Sequence, residues 1–244
     1  MEPHGRVVLE AAMLALLGAG LVGVVLGMRH ALEPDHLAAV STLSMERSRP
    51  VRESLWLGAA WGLGHSLALF VVGGVLAALR TQMPERVGSA LELAVAVMVV
   101  GLGVRALSVA FREGSQGPRT LHQHGAQVHT HAGSADHVHV SRWPVALRPL
   151  VVGLVHGLAG SGALTALVMA ELPSLNAQLL YIATFGLGSV LGMAALTGLA
   201  GLSLRRMAQR TPTRVALLGA AGALSVVIGL WWGWDAASST FPLS

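Results

Sequence analysis

Six apolar runs, each long enough to cross the hydrocarbon core of a bilayer, take up most of this chain: residues 7–28, 55–79, 87–104, 150–170, 177–204 and 215–234. A spanning helix needs about 20 predominantly apolar residues. Only Glu10 and Glu92 place a formal charge inside the six runs. Backbone in lipid must satisfy its own hydrogen bonds, so such runs read as helices, and the fold class is an all-α polytopic membrane protein with six transmembrane helices. The composition agrees, with 53% apolar residues, 11% charged and a mean hydropathy of +0.64. The first run is too long for a secretory signal and leads directly into a polar motif, so it is expected to stay as a helix.

The 16 basic residues are all arginine, and 13 of them fall at the connections between helices one and two, three and four, and five and six. By the positive-inside rule these connections are cytoplasmic and both termini lie outside, as in a multi-pass protein of the cell (inner) membrane. The high pI therefore reports orientation in the lipid bilayer and gives no reason to invoke a nucleic-acid partner. Cysteine is absent, so a metal site in this chain must use nitrogen and oxygen donors.

The two halves of the sequence resemble each other. Gly27, His30, Leu32 and Leu37 align with Gly153, His156, Leu158 and Ala163 at an offset of 126. Trp61-Gly62-Leu63-Gly64-His65 aligns with Phe185-Gly186-Leu187-Gly188-Ser189 at 124, and Val99-Val100-Gly101-Leu102 with Val227-Ile228-Gly229-Leu230 at 128. Three helices per half is an odd number, so the halves cross in opposite directions and form a 3+3 inverted repeat, a common build of secondary transporters. The domain organisation expected is a first repeat over 1–111, a cytoplasmic loop over 112–149 and a second repeat over 150–244.

The polar motif is Met28-Arg29-His30-Ala31-Leu32-Glu33-Pro34-Asp35-His36. Ionisable groups at the centre of a spanning segment cost about 2.5–3.5 kcal/mol each and usually mark an ion pathway. On an unbroken helix His30 and His36 would face about 120° apart. Pro34 lacks an amide donor and disfavours helical geometry at Glu33, so the helix should break there and let His30, Asp35 and His36 converge on one ion. Glu33 and Asp35 would offset its charge. His65, mid-helix between Gly64 and Ser66, is the natural fourth ligand, and His156, followed by Gly157, Gly160, Ser161 and Gly162, is expected on a second broken helix facing the same cavity. Ser66, Ser161 and Thr165 are candidates to orient these ligands. The bland alternative makes each membrane histidine an interhelical hydrogen-bonding residue.

His30-x4-Asp35-His36 resembles the signature of the nickel/cobalt transporter family, and Gly62-Leu63-Gly64-His65-Ser66 resembles that family's next-helix motif. Typical permeases of the family have eight helices, a further aspartate where Glu33 stands and a small residue in place of Pro34. The stretch His156-Gly157-Leu158-Ala159-Gly160-Ser161-Gly162 is more similar to the six-helix branch called urease accessory protein UreH-like, and the Glu-Pro pair and a His-rich loop are similar to nickel/cobalt efflux proteins. The resemblance implies Ni2+ or Co2+ as transported substrate, with no resident cofactor.

That loop carries His122, His124, His129, His131, His137 and His139, three His-x-His pairs with Asp136 beside the last. Residues two apart in an extended chain point to one side, so each pair could share an ion, and the polar composition predicts no fixed structure without metal. The function expected is a secondary transporter of nickel, and of cobalt with it, with import favoured. The alternatives are a nickel/cobalt efflux protein, an accessory protein handing nickel to urease or hydrogenase maturation partners, and an intramembrane metalloenzyme. The last would need further histidine boxes or a His-Glu-x-x-His helix, which the sequence lacks, so no enzyme activity is expected; nor is there a Gly-x4-Gly-Lys-Ser motif to draw on ATP. Imidazole ligates in its neutral form, so flux should fall as the pH drops towards about 6. Equal cation flux at neutral and mildly acidic pH would contradict imidazole ligation.

Overall fold

The computed structural model describes residues 18–45, 50–115, 120–124, 127–131, 147–172, 174–207 and 211–240. Helix α1 covers residues 18–30 within this range. It is followed by α2 (Pro34–Met45), α3 (Val51–Leu79), α4 (Glu85–Ser115), strands β1 (Thr120–His124) and β2 (Gln127–His131), then α5 (Leu147–Glu171), α6 (Leu175–Met207) and α7 (Thr211–Thr240). Among the described residues four helices are long and apolar enough to cross a membrane: α3, α4, α6 over Leu175–Leu202 and α7 over Pro212–Thr240. Residues 7–17 of the first apolar run lie outside the described residues.

The break after α1 follows from Pro34. The amides of Leu32 and Glu33 donate to the carbonyls of Arg29 and His30, at 2.9 and 3.0 Å, which tightens the end of α1 into a 3₁₀ turn. Pro34 then opens α2, where its fixed φ suits a first helical turn and its missing N–H leaves no bond unmade. The regular pattern resumes when Leu37 donates to the Glu33 carbonyl at 2.9 Å.

Helix directions can be read from where glycines let backbones touch. A Cβ on Gly153 would stand 2.0 Å from the Trp61 carbonyl oxygen, and one on Gly157 2.3 Å from that of His65, so α5 runs parallel to α3 in backbone contact. A Cβ on Gly27 would stand 2.0 Å from the Phe185 carbonyl oxygen, and one on Gly188 2.1 Å from that of Val24, so α1 runs parallel to α6 in the same manner. Gly58 against Met193 and Gly62 against Val190 make α3 and α6 antiparallel, as Gly103 against Gly222 and Gly229 against Ala96 do for α4 and α7. Small residues at helix crossings are what apolar solvent selects, because packing replaces the hydrophobic effect as the force of association. The short α2 lies against α4, α6 and α7. Its Ala38 joins Val95 and Val99 in one buried cluster, while Ala39 and Val40 join Trp61 and Met193 in another.

Two expectations need correction. Helix α5 is continuous from Leu147 to Glu171, so His156 does not lie on a broken helix. Gly157 after it admits the neighbouring backbone of α3 instead of unwinding its own, and no proline removes a donor there. The polar loop holds an antiparallel hairpin, with His122 opposite His129 and Thr120 opposite His131. The alternation that predicted extended chain, with Thr120, Val128 and Thr130 favouring strand geometry, goes one step further to pairing.

Gly153→Ala should force α3 and α5 apart and lower the thermal midpoint in detergent by at least several degrees. Gly101→Ala, whose Cβ would meet nothing within 4 Å, should be neutral or stabilise by about 0.5–1 kcal/mol. Equal midpoints for the two variants would contradict the backbone contact.

Candidate metal centre

Four helices deliver four histidines and an aspartate to one place. His30 comes from the last turn of α1, Asp35 and His36 from the first turn of α2, His65 from the middle of α3 and His156 from α5. The α1–α2 break swings His36 back over His30, so that their ring centroids are 4.5 Å apart. The parallel contact of α3 with α5 puts His65 and His156 on facing sides of the same space, and the His36 and His156 rings are 4.3 Å apart. His36, His65, Asp35 and His156 are buried, His30 is half-buried and Glu33 is exposed.

An ionised carboxylate can only accept, so the protons in its contacts lie on the imidazoles. His36 Nδ1–H donates to Asp35 Oδ1 at 2.9 Å, and His156 Nε2–H donates to Asp35 Oδ2. His30 Nδ1–H donates to Glu33 Oε1 at 2.9 Å. Each bond fixes a tautomer, leaving the lone pairs on His30 Nε2, His36 Nε2 and His156 Nδ1. The last two have no hydrogen-bond partner, and neither has His65 Nδ1. Carboxylates that hold the far nitrogen of a ligating histidine are a standard outer support of metal sites.

Two groups of donors lie close enough for one ion, with ligand atoms all within 4.8 Å of one another: His30, His36 and His65, and Asp35, His36 and His156. Hydrogen bonds already account for the second group. In the first, His30 Nε2 and His65 Nε2 approach to 3.1 Å in a hydrogen bond that a cation taking both lone pairs would replace. Two nitrogens bound at right angles about 2.1 Å from one cation stand about 3.0 Å apart. That pair therefore has the spacing that two ligands of one small divalent cation require, and the all-nitrogen donors of the three-histidine group suit nickel, cobalt or zinc.

The group lines a cavity of about 290 Å³ with Glu33, Asp35, His156, Glu92, Val95, Trp232 and Asp235 among its walls. A second cavity of about 750 Å³, bounded in part by Arg29, Leu164 and Tyr181, shares His30, Glu33 and Gly160 with the first. Trp61 packs its ring 5.5 Å from that of His36. Sequence reasoning missed this contact and the walls Trp232 and Asp235; a tryptophan one turn before His65 was the available signal for the contact.

The remaining candidates fall elsewhere. Ser66 Oγ donates to the Gly186 carbonyl at 2.8 Å, tying α3 to α6 and leaving that proton unavailable to a histidine. Ser161 and Thr165 lie on α5, but their side chains lie outside the described residues. His122, His124, His129 and His131 lie on β1 and β2, and His137 and His139 lie outside the described residues.

A family model described as a high-affinity nickel-transport protein, NicO, matches residues 16–230. Among curated proteins, the chain is 32% identical over 217 residues to the urease accessory protein UreH of Bacillus sp. (strain TB-90), covering 88% of this chain and 90% of that one. It is 28% identical over 217 residues to the chloroplast protein FOR GROWTH AND FERTILITY 2 of Arabidopsis thaliana, covering 88% of this chain and 55% of the relative, about half its length. A shorter match, 36% identical over 75 residues, is to the high-affinity nickel transport protein of Cupriavidus necator, covering 29% of this chain and 20% of that one. No solved structure matches the chain.

Asp35→Asn keeps the volume but presents an NH2 to one of two imidazole N–H groups, so one ring must turn over. Nickel affinity should fall 10–100-fold by calorimetric titration of the purified protein. An unchanged affinity would remove Asp35 from the support of the site.

Proposed function

We propose that this chain, which belongs to the NicO family of high-affinity nickel-transport proteins, is a secondary transporter that carries Ni2+, and Co2+ with it, through the His30, His36 and His65 cage. The observation that carries the reading is the meeting of His30, His36 and His65 beside a helix break inside an apolar bundle, with carboxylates holding the far nitrogens of His30 and His36 and the His36 Nε2 lone pair free of any hydrogen bond. Asp35 and Glu33 supply negative charge beside the ion, and His156, bound to Asp35, holds that carboxylate in place.

The 3+3 inverted repeat belongs to the same reading. Its support is the equivalence of two crossings: the α3–α5 contact of Gly153 with Trp61 and the α1–α6 contact of Gly27 with Phe185 use aligned positions of the two halves. The six apolar runs support six spanning helices in this reading, and the arginine distribution supports termini outside and the His-rich loop in the cytoplasm. In such a build, rocking of one half against the other exposes a fixed central site to alternate sides. The hydrated cation would enter the cavity, exchange water for imidazole nitrogen and leave on the other face, with no covalent chemistry and no cofactor.

A second reading draws on the relative named as a urease accessory protein. Here the transported nickel serves maturation of a nickel enzyme, and the loop histidines collect it on the cytoplasmic side for maturation proteins. One experiment addresses both readings: accumulation of radioactive nickel in cells expressing wild type, His36→Ala, a deletion of residues 121–140, or empty vector. Higher accumulation in the wild type, lost in His36→Ala and retained in the deletion, is expected for an importer. Lower accumulation than vector, reversed by His36→Ala, would make it an exporter. Identical accumulation in all four would refute transport, and loss in the deletion alone would leave only metal handling by the loop.

A further inference from the structure

We propose that Trp61 and Phe185 are positioning residues of the metal centre, two aromatic brackets at aligned places in the two halves of the chain that hold the planes of the ligand histidines. The proposal rests on the metal-centre reading and deepens it. His30 sits in the last turn of α1 and His36 in the first turn of α2, so neither has a full turn of helix on both sides of it. The carboxylates of Glu33 and Asp35 hold one nitrogen of each ring. A single hydrogen bond leaves a ring able to pivot about it, and the terminal torsion of histidine is broad. A second contact, on the face of the ring, is needed to aim the other nitrogen at an ion.

Trp61 and Phe185 supply that contact. The Trp61 ring lies 5.5 Å from that of His36, at 31° to it, and 6.0 Å from that of His156. The Phe185 ring lies 5.3 Å from that of His30. These are the separations of rings in contact. The two residues align in sequence, and the glycine contacts make them equivalent in space. Gly153 meets the Trp61 carbonyl and His156 follows it by three residues, as Gly27 meets the Phe185 carbonyl and His30 follows it by three. Each crossing therefore pairs an aromatic ring with the histidine one turn along the opposite helix. Both brackets are themselves held. A Cβ on Gly153 would stand 2.8 Å from Trp61 Cδ1, so the α5 backbone supports the indole. Tyr181, one turn before Phe185, stacks on it with centroids 6.3 Å apart.

The indole N–H gives a second indication. Trp61 is buried and its Nε1 has no hydrogen-bond partner. A buried donor left unpaired is disfavoured, and a tryptophan normally sits where its N–H can be met. Phenylalanine, the residue at the aligned position, would avoid that penalty but has a smaller face. Among the described residues Phe185 meets one imidazole where Trp61 meets two. Charge adds to the packing. An imidazole that has given its lone pair to a cation becomes electron-poor, and the face of an aromatic ring attracts positive charge. The brackets therefore favour the occupied cage over the empty one.

The test uses the purified full chain in nanodiscs, with calorimetric titration for nickel affinity and the absorption spectrum of bound Co2+ as the probe of donor geometry. His36→Ala has the same loop histidines as the wild type, so the difference between their cobalt spectra isolates the cage. Phe185→Leu and Trp61→Leu keep apolar bulk and remove the ring, and each should weaken nickel binding about 10-fold and change the cage spectrum. Trp61→Phe restores a ring; it should keep most of the affinity and the wild-type spectrum, although the space it leaves lowers the thermal midpoint. A role in packing alone would make affinity follow the midpoint through all three variants with the spectrum of the bound ion unmoved, and that result overturns the proposal. Identical cobalt spectra for wild type and His36→Ala would overturn the metal centre itself, and the brackets with it. Where the leucine variants do not fold, Phe185→Tyr and Phe185→Met decide: the first should keep the wild-type spectrum and the second change it, and equal spectra overturn the proposal.

Discussion

A carboxylate enclosed by apolar helices has to be bound on every side, and Asp35 meets this demand by accepting from His36 on its own helix and His156 on another. The rest of the interior is arranged around that junction. Because Asp35 can only accept, both rings take defined tautomers, and each turns its other nitrogen away. Because α5 must bring His156 to it, α5 has to lie against α3, which carries His65. Removing the charge would loosen the joint between the short α2 and the body of the bundle, as well as disturbing one ligand.

The close approach of α3 and α5 rests on glycine. With Cβ atoms at Gly64, Gly153 and Gly157 the two backbones could not share this crossing, and His65 and His156 would separate. Glycine in a helix interior usually weakens it, but inside a bilayer the hydrogen-bonded helix has no competing solvent. The cost falls instead on packing, where small residues help. The same economy explains why a chain with 30 glycines remains helical over segments of 25 to 33 residues from α3 onward.

How much of this was legible in the sequence depends on whether a residue type had one physical use or several. Proline before an Asp-His pair has few uses in a spanning segment, and the break at residues 31–33 falls where Pro34 requires it. Five buried or half-buried polar residues, His30, Asp35, His36, His65 and His156, had little to do in lipid except meet one another. Glycine has two uses, and the run after His156 was read as a point of unwinding, whereas the helix continues and Gly157 serves close approach. Serine is equally ambiguous: Ser66 beside His65 bonds across to α6. The choice of ring nitrogen at each histidine, and the place of Glu92 in the cavity wall, depend on helix rotation. Composition fixes neither.

The two halves share aligned glycine contacts at their crossings and differ in chemistry. His30 aligns with His156, but His65 aligns with Ser189, whose hydroxyl bonds the carbonyls of Phe185 and Gly27 at 3.0 and 3.4 Å. Asp35 aligns with Ser161 at the same offset, so the carboxylate that organises the cage has no counterpart. The α3–α5 crossing thus brings two imidazoles to the cavity, His65 and His156, while the α1–α6 crossing brings one, His30, and is tied by the Ser189 hydroxyl to the Gly27 carbonyl. The imidazoles come from both crossings, but the carboxylate that orders them comes only from the break at Pro34, where the second half has Gly160 and a continuous helix.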